Sequence, residues 1–121
     1  MTEAAPLIDT AFLAAAATAE LEDWGPLEEA TSPDVPMHVH GLTIWSGDDG
    51  AEAGIWQCTA GPSYWVQEET EVIYVLSGTL TVTPAGGKPT TLGPGDVAVF
   101  PKGWRGPWDL HEAVRKVYVV F

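Results

Sequence analysis

Basic residues are scarce in this chain, and their scarcity is uneven. Five Lys and Arg stand against seventeen Asp and Glu in 121 residues, a formal charge of −12. None of the five precedes Lys88, so the first two-thirds of the chain is purely acidic. Nucleic acid and anionic membranes both reward Lys and Arg, so neither is expected as a partner. A solvated acidic surface is the expected role of the charge. Cysteine is nearly absent too: Cys58 stands alone, which excludes an internal disulfide framework and fits a reducing compartment. No apolar run approaches the length of a membrane span, and no basic start precedes an apolar segment, so a cytoplasmic protein is expected. A nucleophile elbow, a phosphate-binding Gly loop and a dinucleotide fingerprint are all missing. Gly93-Pro-Gly95 belongs to a turn before a strand, the wrong context for cradling phosphate.

Glycine, proline and tryptophan are plentiful: thirteen, ten and six. With β-branched and aromatic runs between the turn residues, they indicate an all-β domain, and the length allows one core. The segment from Pro6 to Trp24 is Ala-rich, with Leu7, Ile8, Phe12, Leu13, Leu21 and Trp24 spaced for one helical face. A short helix ended by Gly25-Pro26 is expected there, with an arm docked on a neighbouring subunit as the competing reading. Residues 1–36 are thus read as helix or arm plus linker, and 37–121 as a barrel. Strands are expected at Leu42–Trp45, Gly54–Thr59, Val97–Phe100 and Val114–Val120. Glu71–Leu76 and Thr79–Thr83 read as a hairpin joined at Ser77-Gly78.

Five short patterns occur in order: Gly54-Ile-Trp56, Glu71-Val-Ile-Tyr-Val-Leu-Ser-Gly78, Gly95-Asp96 with Pro101-Lys-Gly103, Trp104-Arg-Gly-Pro-Trp108, and Arg115-Lys-Val-Tyr118. In these the chain resembles the cupin superfamily, more narrowly the small single-domain cupin_3 group, also called DUF861. The resemblance covers about Gly54 to Phe121. It implies a double-stranded β-helix, or jelly-roll barrel, usually homodimeric, around a ligand cavity. It also implies a metal position held by two His and a Glu of the first motif and one His of the second. At those places this chain carries Trp65, Gln67, Glu71 and Gly106. One carboxylate and one amide fall short of the three or four donors that a divalent transition metal needs, so no metal cofactor is expected in the barrel.

Glu71 is therefore the candidate catalytic residue, an acid or base in an apolar barrel; the competing reading ties it down by a hydrogen bond from a Tyr, Trp or Lys. Trp65 and Gln67 are expected to shape the cavity, the first as a flat wall and the second as an orienting amide. Trp56, Tyr64, Tyr74, Trp104 and Trp108 are candidates for the same wall, each against ordinary core packing. Arg105 and Lys116 are candidates to bind a substrate carboxylate, and Lys116 is alternatively a partner for Glu71. His38-Val-His40 places two rings on one strand face. With Glu69 or Glu71 it makes a minority site for Zn, Mn, Fe or Ni, against surface histidines near the barrel mouth. Two functions of different class follow. One is a metal-independent enzyme (isomerase, lyase, cyclase or C–N hydrolase) acting on a small molecule; the other is a non-catalytic metabolite-binding module.

Overall fold

A computed structural model describes residues 5–121. Among them the chain forms ten strands and no helix: β1 (Glu22–Pro26), β2 (His38–Ser46), β3 (Glu52–Cys58), β4 (Gly61–Val66), β5 (Glu71–Ser77), β6 (Leu80–Val82), β7 (Thr90–Leu92), β8 (Val97–Phe100), β9 (Arg105–Leu110) and β10 (Val114–Val120). They pair antiparallel in two sheets, a six-stranded one in the order β1-β2-β3-β10-β5-β8 and a four-stranded one in the order β4-β9-β6-β7. Between the sheets lies a single apolar cluster that includes Ile73, Val75, Leu80, Phe100, Trp108, Leu110 and Val114. The all-β domain expected from the turn-rich composition forms, with the jelly-roll architecture that the cupin resemblance implies.

The period of two in β10 shows how one short strand serves two surroundings. Val114, Lys116 and Tyr118 are buried toward the barrel interior, while Arg115 and Val119 face outward. Outward-facing Tyr74 pairs with Val97, and Val72 with Val99. These rows leave Tyr74, Val97 and Val99 exposed on the outer face of β5 and β8.

The expected N-terminal helix is not there. Residues 14–18 make one turn, closed by Ala15 O accepting from the N–H groups of Thr18 and Ala19. The next carbonyls are taken by a side chain: Arg115 Nη1 donates to Ala16 O and Ala19 O, each at 3.0 Å. Leu7, Ile8 and Phe12, three of the six residues spaced for the expected helical face, are 80 % exposed or more. A short isolated helix is marginal without a packed face, so tertiary pairing wins. Glu22–Pro26 instead adds an edge strand to β2, with a bulge between Asp23 and Gly25. Gly25, expected to end a helix, adopts φ +85° within that bulge. Part of the segment read as arm and linker therefore joins the barrel, and Leu27 is buried in the core. The first four residues of the expected arm lie outside the described residues.

The expected hairpin at Ser77-Gly78 is also absent. β5 pairs with β10 and β8, whereas β6 pairs with β7 and β9. Gly78 is a corner between sheets. It holds φ +85°, and a Cβ there would run into the carbonyl oxygen of Ala113. The chain does turn at Gly78, but the strands on either side find their partners far away in the sequence.

Candidate active site

The inward residues of three neighbouring strands form rows. In register across β3, β10 and β5 lie Glu52, Val120 and Glu71; then Gly54, Tyr118 and Ile73; then Trp56, Lys116 and Val75. This lattice, with Trp24 of β1 and Trp65 from the opposite sheet, surrounds a cavity of about 240 Å³. Two glycines make room for its aromatic walls. A Cβ on Gly54 would strike the Leu42 carbonyl oxygen and lie 2.8 Å from Tyr118 Oη, and one on Gly41 would collide with the Trp24 ring. The Gly54-Ile-Trp56 pattern thus has a physical reason: a gap for Tyr118, then a wall.

In the wall of the cavity lies a buried ion pair. Lys116 Nζ is 2.9 Å from Glu71 Oε2, with side chains 3 % and 9 % exposed. Gln67 Nε2 donates to the other carboxylate oxygen, Oε1, at 3.2 Å. The ammonium is caged by indoles, its Nζ lying 4.4 Å from the Trp108 ring centroid, 4.5 Å from Trp56 and 6.0 Å from Trp65. Taking two charges out of water is expensive, and the cage offsets part of that cost through the negative ring faces. Trp65 is oriented by its Nε1–H, which donates to Ser63 Oγ, which in turn donates to Trp108 O. Trp108 is fully buried, and its own Nε1–H has no partner among the described residues. Also on β10, the Tyr118 hydroxyl donates to Oε2 of Glu52, which lies in the same row as Glu71. Burial, and then that hydrogen bond to a carboxylate, push its pKa up from the ordinary phenol value, so it stays protonated.

Of the residues proposed from sequence, the fold brings Trp56, Trp65, Glu71 and Lys116 together around this cavity, with Gln67 and Trp108 touching the pair. Lys116 takes the partner role rather than that of a free cation. Four residues lie elsewhere. Tyr74 faces outward from β5 and Arg105 is exposed on β9. Trp104 packs edge-on against Phe100, with ring centroids 5.0 Å apart. Tyr64 lines a second cavity of about 550 Å³ along the edge of β4 with Glu28, Glu29, Val66 and Glu68, which Trp65 and Gln67 also reach. There burial pushes the Glu29 carboxyl up from its ordinary value. Sequence reasoning missed Trp24, Glu52, Tyr118 and Val120. The alternation of β10 already places Tyr118 and Val120 on the face of Lys116; no local signal places Trp24 or Glu52 there.

The donor set does not fit the metal that the cupin resemblance implies. Glu71 already faces an ammonium at 2.9 Å, and Gln67 turns an N–H, not its oxygen, toward it. Gly106 pairs with Trp65 across β4 and β9 and adopts φ +155°, and a Cβ there would strike Thr83 O. No ligating side chain can stand at that position.

His38 and His40 lie on the outer face of β2, opposite buried Val39 and away from the cavity. Neither expected carboxylate joins them. Glu71 is inside the barrel, and Glu69 lies beside Gly50 in the turn at the far end of β2. Asp23 of β1 takes that place: His38 Nε2–H donates to Asp23 Oδ1 at 2.6 Å. This hydrogen bond, with a second from Gly25 N–H, holds the Asp23 carboxyl below its ordinary pKa.

Cys58 is buried, and desolvation pushes its thiol up to about 11, against a smaller lowering by the Lys116 charge. At pH 8 the native protein should therefore resist a disulfide reagent such as DTNB and react fully once unfolded in guanidinium. Rapid labelling of the native state would contradict the burial.

Residues 45–118 match the family model described as an EutQ-like cupin domain. A DUF861-family protein of unknown function from Pseudomonas syringae superposes with a TM-score of 0.77 at 19 % identity, over 87 % of this chain and 46 % of that one. The chain thus spans about half the length of that protein, and at this identity the likeness shows the fold alone. A Salmonella typhimurium protein assigned to ethanolamine utilization gives 0.64 at 26 % identity, over 80 % of this chain and 76 % of that one. A DUF861-family protein from Thermotoga maritima gives 0.54 at 37 % identity, over 55 % and 76 %. No curated protein matches. No helix among the described residues is long and apolar enough to cross a membrane.

Proposed function

The chain belongs to the EutQ-like cupin family, and on that scaffold we propose a metal-independent proton-transfer enzyme for a small carbonyl-containing metabolite. The observation that carries this reading is the Glu71–Lys116 pair, buried in the wall of a cavity that Trp24, Trp56 and Trp65 also line. A carboxylate and an ammonium 2.9 Å apart match the needs of proton abstraction next to a carbonyl. In this reading the indole walls hold a flat, largely apolar body, and a substrate oxygen enters beside Lys116 Nζ. That oxygen competes with Oε2 for the ammonium and frees the carboxylate. Glu71 then accepts a proton from the carbon α to the carbonyl, and the C–H electron pair becomes that of an enolate. The negative charge gathers on the oxygen, where the buried Lys116 ammonium stabilises it. Return of the proton to a different atom gives isomerisation; loss of a β-substituent gives elimination. Gln67 keeps Oε1 in place throughout.

A second reading, a non-catalytic binding module, is favoured by one observation: both Glu71 oxygens already have partners. The two are separated by ¹H NMR in D₂O with a panel of small aldehydes, 2-oxo acids and β-keto acids, alongside tryptophan fluorescence to detect binding. Protein-dependent loss of an α-proton signal is expected for at least one compound. Glu71→Gln should slow it about 10²–10⁴-fold while leaving the quench largely intact. A compound that quenches but never exchanges, or exchange that survives Glu71→Gln, would overturn the catalytic role.

A further inference from the structure

The outer face of the barrel carries a second constellation that the cavity does not use. His38 and His40 stand two residues apart on β2, and Asp23, directly opposite His40 on β1, completes the group. One ligand atom from each of the three lies within 4.8 Å of the others. We propose that Asp23, His38 and His40 form a site for a first-row divalent cation such as Zn²⁺, which clamps β1 to β2.

The chemistry of the donors selects the ion. Two imidazoles and one carboxylate suit Zn²⁺, Co²⁺ or Ni²⁺ and are poor partners for Mg²⁺ or Ca²⁺, which prefer oxygen. Tetrahedral Zn²⁺ at about 2.0–2.2 Å from each donor needs donors roughly 3.3 Å apart, so binding replaces the His38 Nε2–Asp23 Oδ1 hydrogen bond and draws together donors that already lie within 4.8 Å of one another. Backbone already orients the carboxylate. Gly25 N–H donates to Asp23 Oδ1 at 2.8 Å through the bulge, the kind of supporting contact that fixes a ligating carboxylate and leaves Oδ2 to bind. The side chains of His38 and Asp23 are 43 % and 65 % exposed, so the ion has a path in, and water fills the fourth position.

Position gives the site a consequence beyond binding. β1 is an edge strand held to the barrel through β2, and the residue after Asp23 is Trp24. Asp23 points to the outer face, while the Trp24 ring passes over Gly41 and forms part of the cavity wall. A cation bridging Asp23 to the two histidines therefore fastens the strand that carries that wall.

The test uses full-length protein without a histidine tag, stripped with a chelator and titrated calorimetrically with Zn²⁺, and with Co²⁺ to record its visible ligand-field bands. One equivalent of Zn²⁺ is expected, a tetrahedral-type Co²⁺ spectrum, no heat with Mg²⁺, and a rise in Tm with Zn²⁺. Asp23→Asn and His40→Ala should each weaken binding at least tenfold and abolish the rise in Tm. Glu71→Gln should leave both unchanged, which places the ion on the outer face. Since Asp23 and His40 lie at the surface of an edge strand, far-UV circular dichroism of both variants should match the parent. The proposal is overturned if no stoichiometric Zn²⁺ binds. It is equally overturned if binding survives both outer-face substitutions, or if Glu71→Gln removes it.

Discussion

Lys116→Met alone should cost about 3–5 kcal/mol, a large share of the 5–15 kcal/mol that holds a typical domain together. The substitution keeps most of the volume of the side chain but strands the Glu71 carboxylate, 9 % exposed, without its counter-charge. It also removes the cation from between Trp56 and Trp108, which adds to the loss. The informative comparison is Glu71→Leu with Lys116→Met. Replacing both charges by apolar groups removes the desolvation cost along with the attraction, so the double variant should recover most of the stability. Urea unfolding of the parent, both single variants and the double variant closes the thermodynamic cycle. A cost below about 1 kcal/mol for Lys116→Met would mean that the pair is solvated rather than buried. The double variant should fold and lose turnover, which separates the stability of the barrel from its chemistry.

Gly106→His should not create a metal site; it should damage the fold. This is the position at which the family resemblance would place a ligating histidine, so the substitution is the natural attempt at restoring one. A φ of +155° is strained for any residue with a Cβ, and here that atom would meet the carbonyl oxygen of Thr83. Backbone strain of about 1–3 kcal/mol and overpacking of a similar size add to about 2–6 kcal/mol. Thr83 belongs to the turn after β6, where its N–H also donates to Pro107 O, so the displaced carbonyl cannot move alone. Gly106→Ala should show nearly the same loss of denaturation midpoint as Gly106→His, because both are blocked at the Cβ. If Gly106→His instead folds like the parent and takes up a stoichiometric metal sensitive to Glu71→Gln, the argument from backbone geometry fails.

Both results turn on features that were legible in the chain to different degrees. The scaffold was readable because its signals are local. Gly-Asp and Pro-x-Gly turns, β-branched runs and the alternation of Val114–Val120 each specify a short piece of backbone and together an all-β domain; the jelly-roll architecture is what the resemblance of five such motifs to cupins implies. Glu71 and Lys116 were named for the same reason, since each sits in a recognisable strand pattern. Where reading failed, a distant partner outweighed a local preference. The Ala-rich segment has the composition of a helix, but Arg115, about a hundred residues away, captures two of its carbonyls, and β2 recruits Glu22–Pro26 as an edge strand. Ser77-Gly78 has the composition of a hairpin turn, but β5 finds better partners in β10 and β8. His38 and His40 are visible as a pair in the sequence, but the carboxylate beside them is neither Glu69 nor Glu71. It is Asp23, brought there by a strand that the helix reading had hidden.

By itself the sequence determined an all-β, turn-rich domain, an excess of acidic over basic residues and a single cysteine, while the barrel and its missing histidines were implied by the resemblance to cupins. The first three follow from residue type and short-range period, which do not depend on who pairs with whom. Only the tertiary structure decided that Glu71 is paired with Lys116 rather than free, that Tyr118 and Glu52 complete the cavity, and that Asp23 meets the two histidines outside it. Each of these contacts joins residues on different strands, 15 to 66 positions apart in the chain. The order and register of strands in a sheet are set by the packing of the whole core, and no single stretch of the sequence carries them.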